Sequence, residues 1–191
     1  LSSARPGHLR YKDQNGDGVI DDRDKKFMGS YIPKYNYGIN VSLEYKNFDL
    51  TISGYGAGGN KIYNGIKNTR LGGENITVDM FNDRWTGAGS TNSHPGAERD
   101  QVASSYYLEK GDYFRLSNVT LGYNFRDKID FIKNLRIYAS AQNLFIITKY
   151  SGFTPELNAY NNEGDPYGTT GVDFSAYPNM RTFLVGLNVE F

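Results

Sequence analysis

Thr182-Phe-Leu-Val-Gly-Leu-Asn-Val-Glu-Phe191 alternates along its length. Phe183, Val185, Leu187, Val189 and Phe191 are apolar, and between them stand Thr182, Leu184, Gly186, Asn188 and Glu190, mostly polar or small. A period of two marks a β-strand with one apolar face and one wet face. In a soluble protein, an edge strand with an exposed apolar row invites aggregation. In a membrane barrel, lipid covers that row and the barrel's first strand covers the edge. The segment is therefore expected to be the last strand of a transmembrane β-barrel, ending on an aromatic ring.

Earlier segments repeat the pattern. Leu135, Ile137, Ala139 and Ala141 alternate with Arg136, Tyr138, Ser140 and Gln142. Val119, Leu121, Tyr123 and Phe125 alternate with Asn118, Thr120, Gly122 and Asn124, and a charged connection, Arg126 to Lys133, joins the two runs. From Lys34, the residues Tyr35, Tyr37, Ile39, Val41, Leu43 and Tyr45 alternate with polar or small ones. After a tight Lys46-Asn47 connection come Phe48, Leu50 and Ile52, with Asp49, Thr51 and Ser53 between them and glycines from Gly54. Two long polar stretches, 58–111 and 149–179, separate these groups; Thr77 to Trp85 reads as a short helix within the first.

Connections thus alternate short, long, short, long. Outer-membrane barrels have short periplasmic turns and long outer loops, so a C-terminus on the periplasmic side places each connection where its length demands. Tyr45, Phe48, Tyr123, Phe125 and Phe191 fall beside the short turns, as an interfacial aromatic girdle requires. The fold class is all-β: about five antiparallel strands of a larger barrel, with long extracellular loops. Residues 1–33 read as an extracellular loop and 34–191 as barrel strands with their loops. Closed bacterial barrels use an even number of strands, eight or more. The missing strands are expected on another chain or upstream, and a start at Leu1 without a basic or apolar leader reads as a processed or truncated product.

Composition agrees. Lys+Arg and Asp+Glu are both 21, so nothing basic favours a nucleic-acid partner. The longest apolar run, Leu144 to Ile147, is far short of the roughly 20 residues a membrane helix needs. Sixteen tyrosines, eleven phenylalanines and twenty-two glycines fit strands and shaped loops. With no cysteine, disulfides are excluded.

One motif points to a metal. In Asp13-Gln-Asn-Gly-Asp-Gly-Val-Ile-Asp-Asp-Arg-Asp24, the side chains of Asp13, Asn15, Asp17, Asp21 and Asp24 and the Val19 carbonyl take the ligand positions of an EF-hand-type loop, with Gly18 at the sharp turn. Hard cations want several oxygens, and this spacing wraps them round one point. The expected cofactor is structural Ca2+, with Mg2+ as the alternative because Asp24 is shorter than the usual bidentate Glu. Pro6, Gly7, Gly29 and Pro33 argue against the flanking helices of a true EF-hand.

Two other constellations carry less. Gly54-Tyr-Gly-Ala-Gly-Gly59 matches the dinucleotide-binding pattern, but the strand before it alternates and no βαβ unit follows; glycines at a strand–loop corner are the better reading. His8 and His94 are the only histidines, and no nucleophile–base arrangement stands out, so no enzyme is expected. Trp85, Tyr106, Tyr107, Tyr150, Phe153, Tyr160 and Tyr167, with Phe174 and Tyr177, lie in the long loops. Such rings suit sugar faces, peptide side chains and protein interfaces, and equally the packing of loops on one another. Glu44, Asp49, Arg136, Tyr138 and Gln142 are expected to line a wet lumen.

Several segments resemble the C-terminal part of SusC/RagA-type TonB-dependent outer-membrane transporters. They are Tyr11-Lys-Asp-Gln-Asn-Gly-Asp-Gly-Val-Ile-Asp21, Gly111-Asp-Tyr-Phe-Arg-Leu-Ser-Asn-Val-Thr-Leu-Gly-Tyr123, Ile137-Tyr-Ala-Ser-Ala-Gln-Asn-Leu-Phe145, Tyr150-Ser-Gly-Phe-Thr-Pro-Glu156 and Tyr177-Pro-Asn-Met-Arg-Thr-Phe183. The resemblance implies a 22-strand barrel with an N-terminal plug in the Gram-negative outer membrane. It also implies Bacteroidetes-type import of oligosaccharide or peptide with a SusD-like surface lipoprotein, powered through TonB. Phe191 would then be part of the signal read by the barrel-assembly machinery. The alternative from a different class is a soluble, calcium-stabilised β-rich carbohydrate-binding module.

Overall fold

A computed structural model describes residues 5–69, 75–91, 93–97, 102–129, 131–157, 170–174 and 176–191, with 69 and 126–129 described as backbone only. The strands are β1 (Tyr35–Tyr45), β2 (Phe48–Gly58), β3 (Lys61–Asn64), β4 (Leu108–Lys110), β5 (Tyr113–Ile129), β6 (Ile132–Thr148), β7 (Val172–Asp173) and β8 (Thr182–Glu190). Two short helices, α1 (Gly65–Thr69) and α2 (Val78–Asn82), lie in the first long connection. Thr77 caps α2 by accepting the Met80 N–H at 3.3 Å, so the predicted helix exists but ends near Asn82 rather than Trp85.

Five strands form one antiparallel sheet in the order β1-β2-β5-β6-β8. Its register aligns the sequence pattern across strands. Leu43, Leu50, Leu121, Ala139 and Val185 form one row, and Val41, Ile52, Val119, Ala141 and Phe183 the next. Tyr45, Phe48 and Tyr123 continue into Ile137 and Leu187. This apolar face lies open, with Val185 82% and Phe183 72% exposed. No further strand of the described residues pairs with the outer edge of β1 or β8, so the sheet is an unclosed sector.

Three sequence expectations are corrected. β2 does not end at a corner beside Gly54 but runs on to Gly58, and the turn comes at Gly59 with φ +79°. The pairing persists because aromatic side chains take the space that a Cβ would fill. Phe114 lies over Gly54, Tyr37 over Gly56 and Tyr35 over Gly58, and the Tyr37 and Phe114 rings stack at 6.1 Å. The connection expected at Arg126 to Lys133 is instead taken up by two 17-residue strands, β5 running on to Ile129 and β6 starting at Ile132. Phe131 is exposed at the same short-turn end of the sheet as Tyr45 and Phe48. The long connections, read as loops from the sequence, carry a second small sheet in the order β4-β3-β7.

A bulge explains one of the quoted motifs. Between the pairs Leu116↔Phe145 and Asn118↔Gln142, Ser117 on β5 faces both Asn143 and Leu144 on β6. Asn143 takes φ +51°, a left-handed conformation that Asn tolerates better than most residues. Its amide donates to the Met180 carbonyl at 3.2 Å and ties the bulge to the approach to β8. At the opposite end, Lys46 takes φ +57° in the first short turn. There the Asn47 side chain donates to the Asn124 carbonyl at 2.6 Å and the Asn124 N–H donates to the Asn47 carbonyl at 2.8 Å.

Candidate functional site: the polar inner face and its loop cover

The face opposite the apolar rows carries the polar residues of the strands, and those of β2, β5 and β6 bond to one another along it. Asn118 donates to Thr120 at 3.1 Å, Thr120 to Ser140 at 2.8 Å, and Ser140 back to Asn118 at 2.9 Å. Nearer the short turns, Arg136 of β6 donates through Nε (2.9 Å) and Nη2 (2.5 Å) to Asp49 of β2, with Asn124 of β5 adding a third bond at 3.1 Å. The pair spans the intervening strand because residue 122 is glycine; a Cβ there would strike both the carboxylate and the guanidinium. Arg136 also lies 4.8 Å from the Tyr138 ring centre, and Tyr138 in turn covers Gly186. Of the expected lumen residues, Asp49, Arg136 and Tyr138 are thus drawn together, while Glu44 and Gln142 remain exposed on the same face.

At the long-loop end, the small sheet anchors the connections. Lys67 of α1 and Glu109 of β4 pair at 2.6 Å, and Glu109 also accepts the Asn64 side chain, the Ser151 N–H and the Ser151 hydroxyl. Burial pushes the Glu109 carboxyl up, but Lys67 and the Ser151 bonds outweigh it and hold the group below its ordinary value. Tyr150 donates to Asp173 of β7 at 2.6 Å, and burial followed by this carboxylate raises its phenol far above the ordinary value.

The loop aromatics divide accordingly. Tyr107 is fully buried against Tyr63 and Tyr106, Tyr150 is buried beside Asp173, and Tyr106 is half-buried, its hydroxyl 2.6 Å from His94 Nδ1. Trp85 is half-buried against Gly7 and Gly96. Phe153, Phe174 and Tyr177 are exposed, and Tyr160 and Tyr167 lie outside the described residues. Exposed rings are therefore fewer than the sequence count.

The acidic loop closes on its own backbone. Asp13 accepts the N–H groups of Gly16 (2.6 Å) and Gly18 (2.8 Å), both glycines being at positive φ, and Asp17 accepts that of Val19 (2.9 Å). Asp24 accepts from Gln14 and Asp21, and bonds from Asp21 and Gln14 keep its carboxyl below the usual range. Arg23 reaches Asp17 at 2.8 Å and Asp21 at 2.7 Å, and its hydrogen bond lowers the Asp21 carboxyl. Among the described residues, no three His, Asp or Glu side chains are gathered as a metal-holding group. The donor set is all oxygen and wraps one turn, as a hard cation requires, yet Arg23 supplies the positive charge between Asp17 and Asp21.

Sequence reasoning missed one joining of motifs. Arg115, of the segment 111–123, points from the inner face to Glu156, of the segment 150–156, at 2.8 Å from Nε and 2.5 Å from Nη2. No periodicity could have matched two residues 41 positions apart on a strand and a loop.

An amphipathic antiparallel sheet with two free edges, short turns at one end and long loops at the other is a sector of a β-barrel wall. No family model matches the chain. It is 35% identical over 97% of its length to TonB-dependent receptor P3 of Formosa agariphila, covering 19% of that protein. It is 29% identical over 99% of its length to TonB-dependent receptor SusC of Bacteroides thetaiotaomicron, covering 18%. The structure of the RagAB peptide importer in its open-open state superposes with a TM-score of 0.72 at 22% identity, over 95% of this chain and 20% of that one. The chain spans about a fifth of the length of the curated relatives it matches. It corresponds in sequence and fold to the C-terminal part of the SusC/RagA-family TonB-dependent transporters.

Proposed function

We propose that the chain forms the C-terminal barrel wall and outer loops of an outer-membrane nutrient importer that takes up oligosaccharide or peptide with a SusD-like lipoprotein. The observation that carries this reading is the register that aligns apolar rows on one face and a bonded polar network on the other. A face so widely open to the surroundings suits lipid and disfavours the soluble carbohydrate-binding module, since ordinary monomers expose apolar patches of only about 300–600 Å². Remaining strands, a plug and TonB coupling would come from the rest of the transporter. Exposed Phe153, Phe174 and Tyr177 are the loop rings best placed for ligand or partner contact. Phe191, 75% exposed beyond β8, suits a signal for barrel assembly. The test is purification of the full-length transporter from cells. Recovery from outer-membrane fractions together with a surface lipoprotein is expected; a monodisperse monomer in detergent-free buffer would overturn the reading.

We further propose that Asp13, Asn15, Asp17, Asp21 and Asp24, with the Val19 carbonyl, hold structural calcium. The ion would displace Arg23 from Asp17 and Asp21 and stiffen the segment before β1, away from any transport chemistry. Calorimetric titration of metal-stripped transporter should show calcium-dependent heat that Asp13→Ala removes and Arg23→Gln strengthens. Absence of calcium-dependent heat in the unaltered protein would rule the site out.

A further inference from the structure

The segment from Ser151 to Glu156 turns back over the inner face, although it belongs to a connection of the outer loops. Its first residue is fixed to the small sheet, where Ser151 donates to Glu109 through N–H and hydroxyl, both at 2.8 Å. Its last residue is fixed to the wall, where Arg115 on β5 meets Glu156. Asn179, ahead of β8, donates to the same Glu156 oxygen at 2.7 Å. Arg115 and Thr154 are each only 4% exposed, and Pro155 is buried with them. Arg115 pairs across the sheet with Tyr55 and Ile146, so the contact lies on the wall itself, two or three residues in from the long-loop ends of β2, β5 and β6.

A buried guanidinium and carboxylate are costly to desolvate, and removing one partner leaves the other charged and unpaired. Such a pair is poor at adding stability but good at fixing one arrangement of two elements. We propose that residues 151–156 form a fixed inward strap, clasped by Arg115, Glu156 and Asn179, which narrows the outer mouth of the barrel and limits the size of solute admitted. This rests on the importer reading, because only a closed barrel has a mouth to narrow.

The test uses the full-length transporter in its outer membrane and membrane-impermeant maleimides, with native cysteines outside this chain first replaced. Thr154→Cys should be protected in the parent and react at least roughly tenfold faster once Arg115→Gln opens the clasp. The charge exchange Arg115→Glu with Glu156→Arg should restore protection. Gln142→Cys, exposed on the inner face below the strap, should react with a bulky polymer-linked maleimide only when the clasp is open. Tyr177→Cys, at an exposed position outside the strap, should react equally in every background. If Tyr177→Cys reacts but Thr154→Cys and Gln142→Cys are indifferent to Arg115→Gln, the strap is wrong and the importer stands. If Tyr177→Cys is never reached from outside intact cells, the importer reading falls and the strap with it.

Discussion

Arginine at residue 185 is expected to cost the assembled barrel about 2–4 kcal/mol, whereas lysine at residue 182 should cost less than about 0.5 kcal/mol. The two positions are three residues apart on one strand but face opposite ways. Val185 stands in the row Leu43–Leu50–Leu121–Ala139–Val185, so Val185→Arg drives a guanidinium into hydrocarbon. Thr182 lies on the polar face opposite Gln142, where Thr182→Lys meets water. Urea unfolding of the full-length transporter in lipid vesicles measures both. Equal effects would show that the two faces do not see different solvents.

Gly122→Val should be nearly as damaging as Arg136→Ala, at about 1–3 kcal/mol each, and the double variant should be little worse than either alone. The reason is geometric. The Asp49–Arg136 pair bridges β2 and β6 only by crossing β5 where no Cβ stands. Hydrogen bonds to charged groups contribute about 1.5–3 kcal/mol, and partial solvent access lowers the range here. Gly122→Val blocks the crossing while leaving both charged residues in the chain, so both variants delete one interaction. Denaturation midpoints of the four-member cycle test this; full additivity would mean that Gly122 acts on something other than the pair.

Much of the wall is legible in the sequence because a barrel strand has one strict period and two solvents. The apolar rows were readable from Val119 to Phe125, from Leu135 to Ala141 and from Phe183 to Val189. Strand ends were not, because glycine and bulge positions break the period. Gly54 to Gly58 look like a loop until Tyr35, Tyr37 and Phe114 are seen lying across them. Ser117 shifts the phase of β5, so Phe114 and Leu116 share a face with Val119 and Leu121 although they stand at even positions. The small sheet was illegible for a different reason. Its strands are two to four residues long, and its partners come from both long connections. Within the site, the metal-loop spacing stands out by itself, but the bonds of Arg23 and the Arg115–Glu156 clasp depend on tertiary approach.

An open apolar face that meets lipid, with the other face toward a wet interior, predicts an alternation that nitroxide scanning of residues 182–190 can read, one cysteine at a time in the full-length transporter in bilayers. Collision with dissolved oxygen should peak at 183, 185, 187 and 189 and fall at 182, 184, 186, 188 and 190, with a water-soluble nickel reagent showing the reverse order. No alternation, or a nickel signal matching oxygen at 185 and 187, would contradict the account.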